Sequence, residues 1–329
     1  MHHIQLFTCA KDPSAPDTNE DRIVVIPGRL FAVIDGATDL GGIRYDDRLG
    51  QDASGGRLAA EAVAEALCTV GAGGFAALPD PRDLVATMNG AIGAIYARLG
   101  LGGRHRFRAG VSAALISGST VRLLAVGDCT IRINGEVVLA HAFPGDTVLA
   151  KARSVAFMIL TQRGIDIDSI RALARQAIIQ GPTSESLPEP FRPEDAQTIR
   201  DAVMADPAVR QACGNDAALI DALLRTGLQG VRNDPEAFDA VTFDGVGDPS
   251  RALRSIDLPL EGVETLELAS DGYPAMPAGV GIAEWEDVLS IADEVDPERI
   301  GIHCSTKGRT AETFADDRSV LVAKRAFAP

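Results

Sequence analysis

The chain is poor in the features that mark the simplest protein classes. Its five cysteines are an odd number and include no C-x-x-C pair, so neither a disulfide framework nor a zinc knuckle is indicated, and a reducing cytoplasm is the expected setting. Aromatic residues make up 5 %, with a single tryptophan. Long apolar runs are missing: stretches such as Val155 to Leu160 are far too short to span a bilayer, and Met1-His2-His3-Ile4-Gln5 has no charged segment leading into an apolar one. Membrane insertion and export are therefore not expected. Basic residues are outnumbered, 31 against 46 acids, giving a net charge of −15 and a pI near 4.8, which opposes a phosphate-backbone interface and excludes nucleic acid as the first expectation.

What is present is an ordinary globular composition, 46 % apolar and 23 % charged over 329 residues. Residues 22–26 and 30–34 are β-branched, apolar runs around Pro27-Gly28-Arg29 and read as a hairpin. Helical spacing follows at 55–70 and 81–99, then strands at 110–117, 121–127, 129–134 and 136–140, with Asn134-Gly135 as a two-residue turn. From about 150 to 230 the character is helical, with a proline-rich loop at 181–190. Strand 264–270, helix 283–294 and strand 318–324 close the chain. This order predicts an α+β fold, one domain over 1–329 with a helical insertion at about 150–230, and excludes the strict β-α-β alternation of a doubly wound sheet.

The positions of particular aspartates carry the chemistry. Asp21 and Asp35 lie seven residues either side of Gly28, so a hairpin centred there sets them face to face at its open end. Asp35, Asp128 and Asp271 each follow a strand, whereas Asp21 and Asp316 precede one; in antiparallel sheets those ends adjoin, so all five can share one edge. Carboxylates this close repel unless a cation or proton lies between them. With no His/Cys cluster in sequence, magnesium or manganese suits such a set better than zinc.

At these residues the sequence resembles the metal-dependent, type 2C family of Ser/Thr protein phosphatases. The matching stretches, in family order, are Asn19-Glu20-Asp21, Phe31-Ala-Val-Ile-Asp35-Gly36, Gly127-Asp128, Ala269-Ser270-Asp271-Gly272 and Asp316-Asp317-Arg-Ser-Val-Leu-Val. The resemblance implies a four-layer α/β/β/α sandwich of two antiparallel sheets flanked by helices. It also implies Mg²⁺ or Mn²⁺, two per active site, held by Asp21, Asp35, the Gly36 carbonyl, Asp271 and Asp316. Asp128 and Asp271 would form a third metal site, and Glu20 would act through bound water. A water bridging the two metals would be the nucleophile, with no protein nucleophile, and the implied partners are a phosphorylated protein and its cognate kinase. Asp317 stands where the family has asparagine, which leaves Asp316 and Asp317 as neighbouring candidates.

Two family features are missing. Ala37, within Asp35-Gly36-Ala37-Thr38-Asp39, replaces a histidine that assists the leaving group, and Pro16 falls at the phosphate-binding arginine. Lys11, Arg22 and Arg44 are candidates to replace that arginine, with Lys11 preferred. His105 and His141 lack metal-ligand spacing and read as structural or surface residues; Cys129 and Trp285 read as buried packing residues. Two other functions use the same fold: a noncatalytic phosphatase-like binding module, and a hydrolase of a small phosphorylated molecule.

Overall fold

The computed structural model describes residues 2–37, 40, 42–47, 50, 52–102, 107–183 and 185–325. In chain order it runs β1 (His2–Cys9), β2 (Arg22–Ile26), β3 (Leu30–Ala37), β4 (Arg44–Asp46), β5 (Asp52–Ser54), α1 (Gly55–Ala72), α2 (Pro81–Leu99), β6 (Arg108–Ser117), β7 (Thr120–Val126), β8 (Thr130–Ile133) and β9 (Glu136–Leu139). Helices α3 (Pro144–Gln162), α4 (Ile167–Ile179), α5 (Pro193–Ala205), α6 (Pro207–Ala212) and α7 (Ala217–Asn233) follow. The chain ends through β10 (Arg254–Pro259), β11 (Thr265–Ala269), α8 (Ile282–Val295) and β12 (Arg318–Arg325). It divides into two compact units, one of Met1–His141, Val241–Ser290 and Asp316–Pro329, the other of Ala142–Ala240 and Ile291–Ala315.

The first unit is built on two five-stranded antiparallel sheets, ordered β10-β7-β6-β3-β2 and β1-β12-β11-β8-β9. Their facing sides interdigitate through Phe31, Val33, Leu123 and Ala125 from one and Ile131, Leu266, Leu268 and Leu321 from the other, all essentially inaccessible to water. Strand alternation sends the intervening residues, Leu30, Ala32 and Ile34, to the outer face, where α1 and α2 cover them with Leu58, Val63, Leu67, Met88 and Ile92. Both helices start on side-chain caps, Ser54 accepting from the Arg57 N–H and Asp80 from that of Arg82; α2 ends at Gly100 in the left-handed region, φ 65°.

The outer face of the second sheet carries a buried ion pair. Glu267 and Arg132 lie directly opposite in the β11–β8 register and are 1 % and 2 % exposed, with Arg132 Nη1 3.0 Å from Glu267 Oε2. The other Glu267 oxygen accepts from the Trp285 indole N–H of α8 at 3.0 Å and from the Gly281 amide at 3.2 Å. The Arg132 guanidinium also donates to the carbonyls of Gly135 and Gly279 and stands 5.6 Å from the centre of the Trp285 ring, within cation–π range. Two buried charges are tolerated only when they are paired, and removing one partner of such a pair is costly.

The second unit is helical, with a core of Leu149, Ala156, Leu160, Ile178, Ile199 and Leu223. Gly227 breaks α7 with φ 61°, ψ −159°, where a side chain would strike the Gly181 backbone. Among the described residues, no helix is long and apolar enough to cross a membrane.

Four strands were not expected from the sequence: the short pair β4 and β5, three residues each, and the longer β1 and β10. Both β1 and β10 are sheet edges and leave apolar side chains in solvent, Leu6 at 51 % and Ile256 at 39 % exposure, so neither shows a clean apolar alternation. The helical stretch also begins earlier than about 150, at Pro144, whose fixed φ suits a first helical turn.

Removing one member of the Arg132–Glu267 pair leaves an uncompensated buried charge. Glu267→Ala is expected to lower unfolding stability by about 3–5 kcal/mol in urea titrations, followed by fluorescence of Trp285, the single tryptophan. A loss within the surface range of about 0.5 kcal/mol would show that the pair does not hold the sheet face.

Candidate metal centre

The hairpin register generates the site. Arg22 pairs with Ile34 and Ile26 with Leu30, so Asp21, one residue before β2, falls across from Asp35 in β3. On its other side Asp35 pairs with Gly110 of β6, and β6 in turn brings β7 and the following Gly127-Asp128 alongside. One carboxylate oxygen each of Asp35 and Asp128 and the Cys129 sulfur lie within 4.8 Å of one another. From the second sheet, Asp271 at the end of β11 offers its backbone N–H to Asp35 Oδ2 at 3.3 Å. Ser270 donates through Oγ to Asp21 Oδ2 at 2.8 Å.

Small residues let these backbones converge. A methyl group on Gly36 would fall 2.5 Å from the Gly56 carbonyl oxygen and 2.6 Å from that of Glu20, so only glycine fits. Gly127 needs its glycine twice over: its φ is +92°, and a side chain there would lie 2.9 Å from the Gly110 Cα. Gly272 likewise packs against the Asp317 carbonyl.

The electrostatics are those of an overfilled acidic site. Burial raises the Asp35 carboxyl well above the ordinary carboxylate range, and Asp271, Asp21 and Asp128 raise it further. Asp21, 3 % exposed, is also raised well, by burial and by Asp317 and Asp271, against the opposing hydrogen bond from Ser270. Such a cluster of hard oxygen donors fits a divalent cation of the magnesium or manganese class.

Several sequence expectations meet specific geometry here. Glu20 is buried and accepts from Ser54 Oγ, so its carboxylate is fixed by the same serine that caps α1. At the last corner, Asp317 accepts the Lys11 amide at 2.5 Å and the Glu20 amide at 2.9 Å, and its charge reaches Asp21. Asp316 Oδ1 accepts the N–H of Asp317 at 3.1 Å. Arg22 is engaged by Glu61 at 2.5 Å, and Arg44 by Asp52 at 3.1 Å. Lys11 is held near the cluster through its backbone contact with Asp317. His141 is half-buried; His105, Thr38 and Asp39 lie outside the described residues.

Cys129, expected as a buried packing residue next to Asp128, is completely buried, and its sulfur lies beside Asp35 and Asp128. Burial and the surrounding carboxylates push its thiol well up, so in this setting it is not a thiolate nucleophile. Ser54 and Ser270 were missed: each is an ordinary serine in sequence, and its hydrogen bond to an acid depends on tertiary placement.

No protein-family model matches the chain, and no curated protein matches it. Solved structures to which it is similar include the serine/threonine phosphatase PstP/Ppp of Mycobacterium tuberculosis, at 15 % identity over 99 % of both chains and TM-score 0.46. The Staphylococcus aureus serine/threonine phosphatase Stp1 shows 12 % identity over 99 % of this chain and 96 % of its own, with TM-score 0.47. The PstP catalytic domain in complex with two manganese ions shows 15 % identity over 98 % and 99 %, with TM-score 0.42.

An acid whose native pKa is raised binds more protons folded than unfolded, so it favours the fold at low pH and that contribution is lost as pH rises through the native value. The melting temperature of the metal-free protein is therefore expected to fall as pH rises from the unfolded carboxylate value, about 4. Asp35→Asn is expected to flatten that fall, to melt higher than wild type at pH 8 without metal, and to lose most of the rise on adding Mn²⁺. A variant that melts lower than wild type without metal and keeps the Mn²⁺ response would contradict an overfilled acidic site.

Proposed function

We propose that the chain is a metal-dependent phosphomonoester hydrolase that removes phosphate from phosphoserine or phosphothreonine in proteins, the phosphoryl group having been placed there by a protein kinase. The observation that carries this reading is the convergence of Asp21, Asp35, Asp128 and Asp271, from both sheets, on one edge where burial first, and then the neighbouring carboxylates, raise Asp21 and Asp35. Two divalent ions, Mg²⁺ or Mn²⁺, when bound there supply an acidified water for in-line attack on phosphorus and neutralise the phosphoryl oxygens.

The residues of this chain divide the remaining work. Asp35, central in the cluster, is the proposed shared ligand, with Asp21, Asp271, Asp316 and the Gly36 carbonyl around it; Asp128 with Asp271 makes a further, weaker site. Glu20, buried and fixed by Ser54, would act through bound water. Asp317 is assigned to positioning, since its carboxylate ties Lys11 and Glu20 to the start of β12. Ala37 has no proton to give, so the departing serine or threonine oxygen takes its proton from solvent. Lys11 supplies the charge for the substrate phosphate that Pro16 cannot.

The Pro16 and Ala37 positions favour one second reading, a noncatalytic phosphatase-like module that binds a partner with the same fold. Phosphate release from phosphopeptides and p-nitrophenyl phosphate, with Mg²⁺, with Mn²⁺ and without metal, separates the two. Metal-dependent turnover on phosphopeptides is expected; turnover on p-nitrophenyl phosphate alone would point to a small phosphorylated molecule, and none with any metal to a binding module. Asp271→Asn and Asp316→Asn are each expected to lower turnover by at least roughly a hundredfold, and Asp317→Asn by much less, with its loss falling on stability. The reverse order would transfer the ligand role to Asp317.

A lysine acts on phosphate as a point charge, without the bidentate geometry of a guanidinium. Lys11→Ala is expected to raise KM for phosphopeptide with kcat largely kept, costing about 1–3 kcal/mol in kcat/KM. Unchanged constants would remove Lys11 from the site. A fall in kcat at constant KM would place it at the transition state instead.

A further inference from the structure

We infer that Cys129, together with Asp35 and Asp128, forms a mixed sulfur–oxygen pocket that captures a thiophilic divalent cation of the zinc class, in competition with the hard cation at Asp35. This builds on the proposed metal centre in sharing Asp35 and Asp128, and differs from it in adding the Cys129 sulfur. The three ligand atoms lie within 4.8 Å of one another. Zinc bonds sulfur at about 2.3 Å and carboxylate oxygen at about 2.0–2.2 Å, so ligand atoms around a tetrahedral ion stand roughly 3.5 Å apart. Rotation of the two carboxylates, neither of them fully buried, closes that difference.

Gly110 borders two of the three donors. A side chain at Gly110 would stand 3.2 Å from Asp128 Oδ1 and 3.6 Å from Cys129 Sγ, so the glycine keeps open the volume next to both donors. Cys129 is wholly inaccessible to water, so the cation enters from the carboxylate side and meets the sulfur last. On capture a metal–sulfur bond forms, the S–H bond breaks and the proton leaves to solvent; nothing is oxidised or reduced. Two carboxylates alone favour hard cations, and adding one sulfur shifts the preference toward zinc and cadmium. The consequence is inhibition: an ion seated on Cys129 draws Asp35 away from the hard-metal arrangement.

The test uses Cd²⁺ added to the full-length, metal-free chain and follows thiolate-to-cadmium absorption in the ultraviolet, a readout independent of turnover. The first equivalent is expected to bring in this absorption, and saturating Mn²⁺ to suppress it through competition for Asp35. Cys129→Ser and Asp35→Asn are each expected to lose it, even though Cys9, Cys68, Cys213 and Cys304 remain as free thiols. In phosphate-release assays with Mn²⁺, the Zn²⁺ concentration for half-inhibition is expected to rise by about tenfold in Cys129→Ser. Absorption that persists in folded Cys129→Ser, or that Mn²⁺ leaves untouched in the wild type, overturns the inference. The Mn²⁺ competition needs no variant and decides the question if Cys129→Ser does not fold. Absence of phosphatase activity in the wild type would reject the catalytic reading while leaving the cadmium spectrum as a separate result.

Discussion

The structure depends on holding like charges together. An antiparallel register centred on Gly28 sets Asp21 beside Asp35, and the second sheet adds Asp271 to the same edge. This arrangement works against the fold, because burial and repulsion both disfavour the ionised carboxylates that neutral pH would otherwise produce. A site of this kind persists only where the scaffold overdetermines it.

The scaffold does so by removing freedom elsewhere. Gly36, Gly127 and Gly272 let backbones approach more closely than any side chain would permit, which locks the strand ends in place. Ser270 holds one Asp21 oxygen, Ser54 holds Glu20, and Asp317 ties two backbone amides at the start of β12. Farther out, the Arg132–Glu267–Trp285 group keeps α8 on the outer face of the sheet that contributes Asp271. Stability gained at the sheet faces offsets repulsion at the edge, the usual separation between scaffold and site.

Much of this was legible in the sequence because the signals were local. The Gly28 hairpin, the Asn134-Gly135 turn, where φ is 54° and 82°, and the capped helices α1 and α2 follow from residue type and spacing. The acids stood out because each lies at a strand end. Edge strands β1 and β10 were not legible, since an edge with one solvated side needs no apolar alternation. The serines were not legible as site residues either: their roles come from which atoms the two sheets bring within reach, and neighbouring sequence positions do not encode that, whereas Cys129 was legible as a buried neighbour of Asp128. The adjacent acids show the same limit, because a one-residue step between Asp316 and Asp317 decides which carboxylate ties Lys11 and Glu20, and only the folded backbone makes that choice.

The central claim is that the converging carboxylates exist to share paired divalent cations. Electron paramagnetic resonance of the wild-type protein titrated with Mn²⁺ tests it most directly, because two manganese ions bridged by one carboxylate couple magnetically and a lone ion does not. The account predicts an exchange-coupled pair signal that grows to saturation at two equivalents and is absent in Asp35→Asn. A spectrum showing only isolated Mn²⁺ at every ratio, or the same coupled signal in Asp35→Asn, would contradict it.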